Sequence, residues 1–152
     1  RTVGMVSGPE PHRKLMELAL LRWMKGIPGP CLLIAGRPGD EVEVNDHVTV
    51  WPDPSAEDLA GALRGAETIV CRSGYSSLLD LAALGQRAIL VPTPGQPEQL
   101  LLARHWAQTF GMATCTQHEL ESGLVPVVSG SPAQLEPNTK AQQALLDLVL
   151  NA

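Results

Sequence analysis

The sequence predicts an α/β fold built on an open, doubly wound parallel sheet of about six strands with helices on both faces. Short apolar segments alternate along the chain with segments whose apolar residues recur at helical spacing. The strand segments are continuously apolar rather than alternating, which is typical of parallel strands covered on both faces. We therefore expect a Rossmann-like architecture, in which ligands bind beyond the carboxyl ends of the strands.

In the first half of the chain, strands are predicted at residues 3–7, 31–35 and 48–51. The first helix follows the Ser7-Gly8-Pro9 turn, carries apolar residues at helical spacing, and ends before Pro28. Ser55, with Asp58 three residues later, resembles the N-cap of a second, short helix. The acidic segment 41–46 is predicted to be a loop.

The second half continues the same alternation. Strands are predicted at 68–71, 87–91 and 112–116, and helices at 75–84 and 97–110. A last amphipathic helix is predicted at 138–150.

Size, charge and cysteine usage exclude several classes of protein. The 152 residues correspond to one domain, and the formal net charge of −5 argues against a general nucleic-acid binder. No apolar run approaches the roughly 18 residues of a membrane span, so no direct membrane insertion is expected. Cys31, Cys71 and Cys115 lie in apolar segments without metal spacing, which favours reduced thiols in a cytoplasmic protein.

Residues 72–99, RSGYSSLLDLAALGQRAILVPTPGQPEQ, form the most informative stretch. A strand, a glycine, two serines and a helix predict a phosphate cradle, because helix N-termini favour anions. Asp80, one turn further on, is placed to accept hydrogen bonds from ribose hydroxyls. Arg72 at the end of an apolar strand requires an anion or a cluster of carbonyls, and a structural ion pair is the alternative. A glycine turn with a helix N-cap is the simpler interpretation of Gly74 to Ser77.

This motif resembles the C-terminal, donor-binding domain of GT-B glycosyltransferases, nearest to the MurG-like family 28. The resemblance implies that residues 1–152 are a nucleotide-sugar binding domain, the C-terminal half of a GT-B fold, and that the N-terminal acceptor domain is absent from this chain. It implies transfer of a hexosyl group from a UDP-sugar to an acceptor, with inversion, and an acceptor base on that other domain. No metal or other cofactor is expected, and any membrane association would arise through the missing domain.

The resemblance also implies roles for individual residues. The donor diphosphate is expected at Ser7, Gly8, His12, Arg72, Gly74, Ser76 and Ser77. The ribose is expected at Asp80, the donor sugar at Gly95, Gln96, Glu98 and Gln99, and the base at Trp51 and Pro52. The chain departs from the family at three positions: Asp80 is shorter than the usual Glu, Tyr75 replaces a small residue, and Leu102 replaces an Asn.

Two other functions remain open from the sequence. A UDP-GlcNAc 2-epimerase of the non-hydrolysing type shares the architecture but depends on acids and histidines that this segment does not clearly show. A non-catalytic nucleotide- or partner-binding module is the second. The four histidines lack metal spacing, and the first loop is neither a P-loop nor a GxGxxG turn, which argues against zinc, ATPase and NAD functions.

Overall fold

The computed structural model describes residues 1–127 and forms a seven-stranded sheet in the order β3-β4-β2-β1-β5-β6-β7. The strands are β1 Thr2–Met5, β2 Cys31–Ile34, β3 Glu43–Asn45, β4 Val48–Trp51, β5 Thr68–Cys71, β6 Ile89–Leu90 and β7 Ala113–Thr114. All neighbours pair in parallel except β3, which is antiparallel to β4. The predicted α/β class and its mainly parallel sheet are confirmed.

Helices cover both faces of the sheet and create two cores. They are α1 His12–Gly26, α2 Ala56–Arg64, α3 Tyr75–Leu84, α4 Pro97–Phe110 and α5 Gln117–Glu121. On one face α1 and α5 pack around Met16, Leu20 and Leu120, and on the other α2, α3 and α4 pack around Leu63, Leu78 and Trp106. Within residues 1–127 no helix combines the length and the apolarity needed to cross a membrane.

The prediction that residues 41–46 form a loop is wrong at its centre. Glu43–Asn45 is strand β3, which turns back through Asp46 and pairs with β4 at the edge of the sheet. All three of its residues are exposed, so no buried apolar pattern marks it as a strand. The seventh strand and its antiparallel direction were therefore not predicted.

The C-terminal part of the described chain also differs from the prediction. Helix α5 was not expected, although Thr116 and Glu119 form a capping box whose spacing is visible in the sequence. Because this helix has only five residues, helical periodicity could not indicate it. The helix predicted at 138–150 lies outside the described residues.

The parallel arrangement places the loops after β1, β2, β4, β5 and β6 along one edge of the sheet, here called the carboxyl edge. Gly36 shows how closely the loops after β1 and β2 approach. It has φ of 59°, and a Cβ at this position would collide with the backbone oxygen of Val6. Only glycine fits this approach without moving the backbone.

Candidate functional site

The loop between β5 and α3 places a helix N-terminus at the centre of the carboxyl edge. Gly74 is the N-cap of α3, with φ −82° and ψ 157°, and it has no side chain to accept hydrogen bonds from the first amides. Ser76 is exposed and Ser77 half-buried in the first turn of α3. Backbone amides and two hydroxyls thus surround the positive end of the helix dipole, an arrangement suited to an anion.

Arg72 directly follows β5, two residues before the N-cap of α3, and it is almost completely buried, with 1% exposed. Its Nη1 atom donates to the carbonyls of Val91 at 3.3 Å and Pro92 at 3.4 Å, and its Nη2 atom to that of His12 at 3.1 Å. Among residues 1–127, no carboxylate forms a salt bridge with it. The carbonyl cluster is thus the partner that the structure provides.

Burial lowers the pKa of Arg72 to about 10, and the more distant charge of Glu121 partly offsets this effect. The guanidinium therefore stays protonated at neutral pH. A buried positive charge without a contacting carboxylate gives the carboxyl edge a positive potential at this point. This charge can favour an anion at the N-terminus of α3 even though the guanidinium itself is shielded.

The loop between β6 and α4 folds beside the β5–α3 loop. Gln99 Oε1 accepts a hydrogen bond from Thr93 N at 2.9 Å, and Gln99 Nε2 donates to Gln96 Oε1 at 2.9 Å. The Ser73 hydroxyl donates to the Gln99 carbonyl at 2.7 Å. Both ends of the Gln99 amide are thus engaged within the protein, and its predicted contact with a donor sugar stays a prediction.

Two positions that sequence analysis singled out separately are coupled here. The carboxyl of Glu98 lies near the hydroxyl of Tyr75, the first residue of α3, and raises the pKa of Tyr75. Glu98 is exposed in the first turn of α4, where a negative charge suits the helix dipole. The large residue that departs from the family pattern at Tyr75 therefore reaches across to a predicted sugar-binding residue.

The loop after β1 contributes the remaining residues predicted to bind phosphate. Ser7 is half-buried, and Gly8 adopts φ of 95° at an exposed turn. His12 is the first residue of α1, and its carbonyl is the acceptor of the Arg72 hydrogen bond. Arg72 thus joins the start of α1 to the β5–α3 loop.

The residues predicted for the base and the ribose lie on the side of the sheet edge covered by α2 and α3. Trp51 and Pro52 line a cavity of about 340 Å³, whose walls include Asp53 and Asp58. Asp80 lies mostly exposed on α3, and partial desolvation of its carboxyl raises its pKa. Because α2 packs against α3, the cavity and the carboxyl of Asp80 lie on the same face of the sheet.

Sequence analysis missed a second buried charge near this edge. Glu17 on α1 is 3% exposed and forms ion pairs with Arg13 at 3.0 Å, Arg37 at 3.5 Å and Lys14 at 3.8 Å. Arg13 also donates to the carbonyl of Ala35 at 3.1 Å, which ties α1 to the end of β2. The spacing of Arg13 and Glu17, four residues apart on a helix, was the available signal.

A second cavity, of about 460 Å³, was also not predicted. It lies between the β6–α4 loop and the start of α5, and its mainly apolar walls include Pro94, Leu100 and His118. Gly95 and Gln96 line it as well, so the loop predicted to hold the donor sugar has a cavity on this side.

A model of the glycosyltransferase family 28 C-terminal domain matches residues 52–149. The chain belongs to this family. The match begins directly after β4 and covers the β5–α3 loop with Arg72 and the β6–α4 loop. The loop after β1, with Ser7, Gly8 and His12, lies before the matched residues.

Relatives and solved structures agree with this membership. Over 95 residues the chain is 32% identical to a UDP-N-acetylglucosamine–N-acetylmuramyl-(pentapeptide) pyrophosphoryl-undecaprenol N-acetylglucosamine transferase of Prosthecochloris aestuarii, covering 59% of this chain and 26% of that protein. It is 25% identical to the enzyme of that name in Chlorobaculum parvum, over 97% of this chain and 37% of the relative. The crystal structure of Acinetobacter baumannii MurG matches with a TM-score of 0.61 and 21% identity, over 99% of this chain and 49% of that one. The chain thus spans only about a quarter to a half of these proteins, and the fold is that of GT-B glycosyltransferases.

Proposed function

We propose that this chain is the donor-binding domain of a glycosyltransferase that transfers a hexosyl group from a UDP-sugar to an acceptor, with inversion. The observation that carries the proposal is Arg72, a buried guanidinium without a carboxylate partner among the described residues, two residues before the N-cap of α3, which lacks a side-chain cap. A nucleoside diphosphate is the ligand class whose charge this arrangement complements. Membership of family 28 supports the same interpretation.

The proposed contacts follow the carboxyl edge. The diphosphate lies at the amides of Gly74 to Ser77 and at the hydroxyls of Ser76 and Ser77, while Ser7, Gly8 and His12 border it from the loop after β1. Arg72 contributes its charge from below, which stabilises the negative charge that develops on the leaving nucleoside diphosphate. This is the part of the reaction that a donor domain can perform.

The remaining parts of the donor are assigned to the flanking loops. Asp80 accepts hydrogen bonds from the ribose hydroxyls, and Trp51 and Pro52 lie against the base. The sugar lies at the β6–α4 loop, where Gly95, Gln96, Glu98 and Gln99 border the site.

The base that deprotonates the acceptor hydroxyl belongs, in this proposal, to an N-terminal acceptor domain outside the chain. No metal is needed, because the helix N-terminus and Arg72 supply the positive charge. We propose a cytoplasmic location, with any contact to a membrane made through the acceptor domain.

The proposal is tested by nucleotide selectivity and by turnover. Isothermal titration calorimetry should show UDP binding more tightly than GDP, TDP and UMP. The intact protein should leave UDP-GlcNAc unchanged without an acceptor, whereas an epimerase would convert it. If the folded protein binds none of these nucleotides, the donor-site assignment is wrong and a partner-binding module becomes the better interpretation.

A further inference from the structure

The loop of residues 91–96, between β6 and α4, is fixed from one side by Arg72. The guanidinium donates to two successive carbonyls of this loop, those of Val91 and Pro92, and to the carbonyl of His12 at the start of α1. With 1% of the side chain exposed, the bonds are shielded from water. A guanidinium suits this task, because its planar fork carries five N–H donors pointing in fixed directions.

Gln99 fixes the same loop from the other side. Its Oε1 accepts from the backbone amide of Thr93, and its Nε2 donates to the side chain of Gln96, both at 2.9 Å. The carbonyl of Gln99 in turn accepts from the Ser73 hydroxyl, next to Arg72 in the chain. The two side chains therefore hold the same loop, and the Ser73 hydrogen bond links Gln99 to the residue next to Arg72.

The loop has few backbone hydrogen bonds of its own. Pro92 and Pro94 lack an N–H group, and one bond inside the loop runs from Gln96 N to Thr93 O at 3.2 Å. A six-residue connection with so few amide donors depends on side chains for a fixed conformation.

We propose that Arg72 and Gln99 are positioning residues that hold the 91–96 loop in one conformation. The functional consequence rests on the proposed function, in which Gly95 and Gln96 of this loop border the donor sugar. Arg72 then has two separable roles. Its charge attracts the diphosphate, and its fork couples the loop at the sugar to the start of α1.

Exchanging Arg72 for lysine separates the two roles, because lysine keeps the charge but donates from a single nitrogen that cannot reach carbonyls of both loops in the same geometry. Amide hydrogen exchange of Thr93 and Gln96, whose amides are hydrogen-bonded in the loop, is the measurement, and Arg64→Lys at an exposed position of α2 is the matched control. We expect exchange at these amides to be at least tenfold faster in Arg72→Lys and unchanged in Arg64→Lys. Unchanged exchange in Arg72→Lys would overturn the proposal for Arg72.

Gln99→Leu provides a second test that keeps the positive charge and tests the opposite side of the loop. The leucine cannot accept from Thr93 N or donate to Gln96, and Gln108→Leu, at an exposed position of the same helix, is its control. The Thr93 and Gln96 amides should again exchange at least tenfold faster. If Arg72→Lys does not fold, this variant alone decides the proposal.

Ligand binding distinguishes positioning from direct contact. In Gln99→Leu the affinity for UDP-GlcNAc should fall at least fivefold more than the affinity for UDP, together with the faster exchange of the free protein. A loss of UDP-GlcNAc affinity with unchanged exchange would show that Gln99 contacts the sugar instead. If the wild-type protein binds neither ligand, the proposed function fails, while the exchange result still decides whether the two side chains hold the loop.

Discussion

Two charged side chains are buried near the carboxyl edge of this sheet, and they differ in the groups that contact them. Glu17, on the α1 side, is surrounded by Arg13, Lys14 and Arg37 within 4 Å. Arg72, on the other side of β1, donates its side-chain hydrogen bonds only to backbone carbonyls among the described residues. Both residues are at most 3% exposed, so neither charge is solvated by bulk water.

The difference indicates which charge is structural and which is available to a ligand. An ion-paired charge is neutralised at short range and fixes the elements that carry it. A charge whose only hydrogen-bond partners are neutral dipoles still produces an electrostatic field that attracts an anion. The region around Glu17 therefore joins α1 to the loop after β2, whereas the region around Arg72 is the one that the proposed function assigns to a diphosphate.

Replacing the unpaired charge should have the largest effect on binding. Arg72→Met is expected to weaken UDP binding about 100-fold, or about 2.7 kcal/mol, because the charge and the fixed loops are lost together. Isothermal titration calorimetry measures this change, after circular dichroism has shown that the variant is folded at the chosen temperature. Binding within threefold of wild type would mean that Arg72 serves the fold alone.

Replacing the paired charge should affect stability instead. Glu17→Gln is expected to lower the free energy of unfolding by about 2 kcal/mol, since a buried carboxylate is lost while Arg13 and Arg37 keep their bonds to Glu10 and Glu43. Urea denaturation measures the loss. UDP affinity should stay within twofold of wild type, and a large drop would show that the two regions are not independent.

The ribose assignment should give a smaller effect than the charge of Arg72. Asp80→Ala is expected to weaken UDP binding about tenfold, since it removes a charged acceptor of hydroxyl hydrogen bonds. The matched control is Asp46→Ala at the β3–β4 turn, which lies at the opposite end of the strands from the carboxyl edge. Equal affinity of Asp80→Ala and wild type would remove this residue from the site.

Acid should weaken binding through Asp80, with the smallest of the four effects. Desolvation raises the pKa of this carboxyl, so it takes up a proton at a higher pH than an ordinary aspartate and then loses its strength as an acceptor. UDP affinity measured at pH 7.5 and 5.5 should therefore fall more in wild type than in Asp80→Asn. The phosphate of UDP also titrates in this range, and the variant controls for it. An equal fall in both proteins would contradict the assignment.

How much the sequence could predict depended on whether the signal was local. Continuously apolar segments such as 31–34 and 68–71 specify parallel strands by themselves, and the glycine and serines after residue 71 mark a helix start. The exposed strand β3 has no such pattern, so the sequence predicts a loop there. The start of α3 and the carboxyl edge of the sheet were therefore predictable, and the antiparallel edge strand was not.

The partners of the buried charges were not predictable, because they come from distant parts of the chain. The carbonyls that contact Arg72 lie 19, 20 and 60 residues away in sequence, and Arg37 reaches Glu17 from another loop. Backbone carbonyls carry no sequence signature at all. The sequence could thus indicate that Arg72 needs an anion or carbonyls, but only the fold shows that it has carbonyls.

The most direct test of the central claim, that the unpaired charge beneath α3 serves a diphosphate, compares UDP with uridine in calorimetric titrations of the wild-type protein. The two ligands share the base and the ribose and differ only in the diphosphate. We expect UDP to bind at least 100-fold more tightly than uridine, with an affinity that falls as salt is added. Equal binding of both ligands, or tight UDP binding that salt leaves unchanged, would contradict the claim.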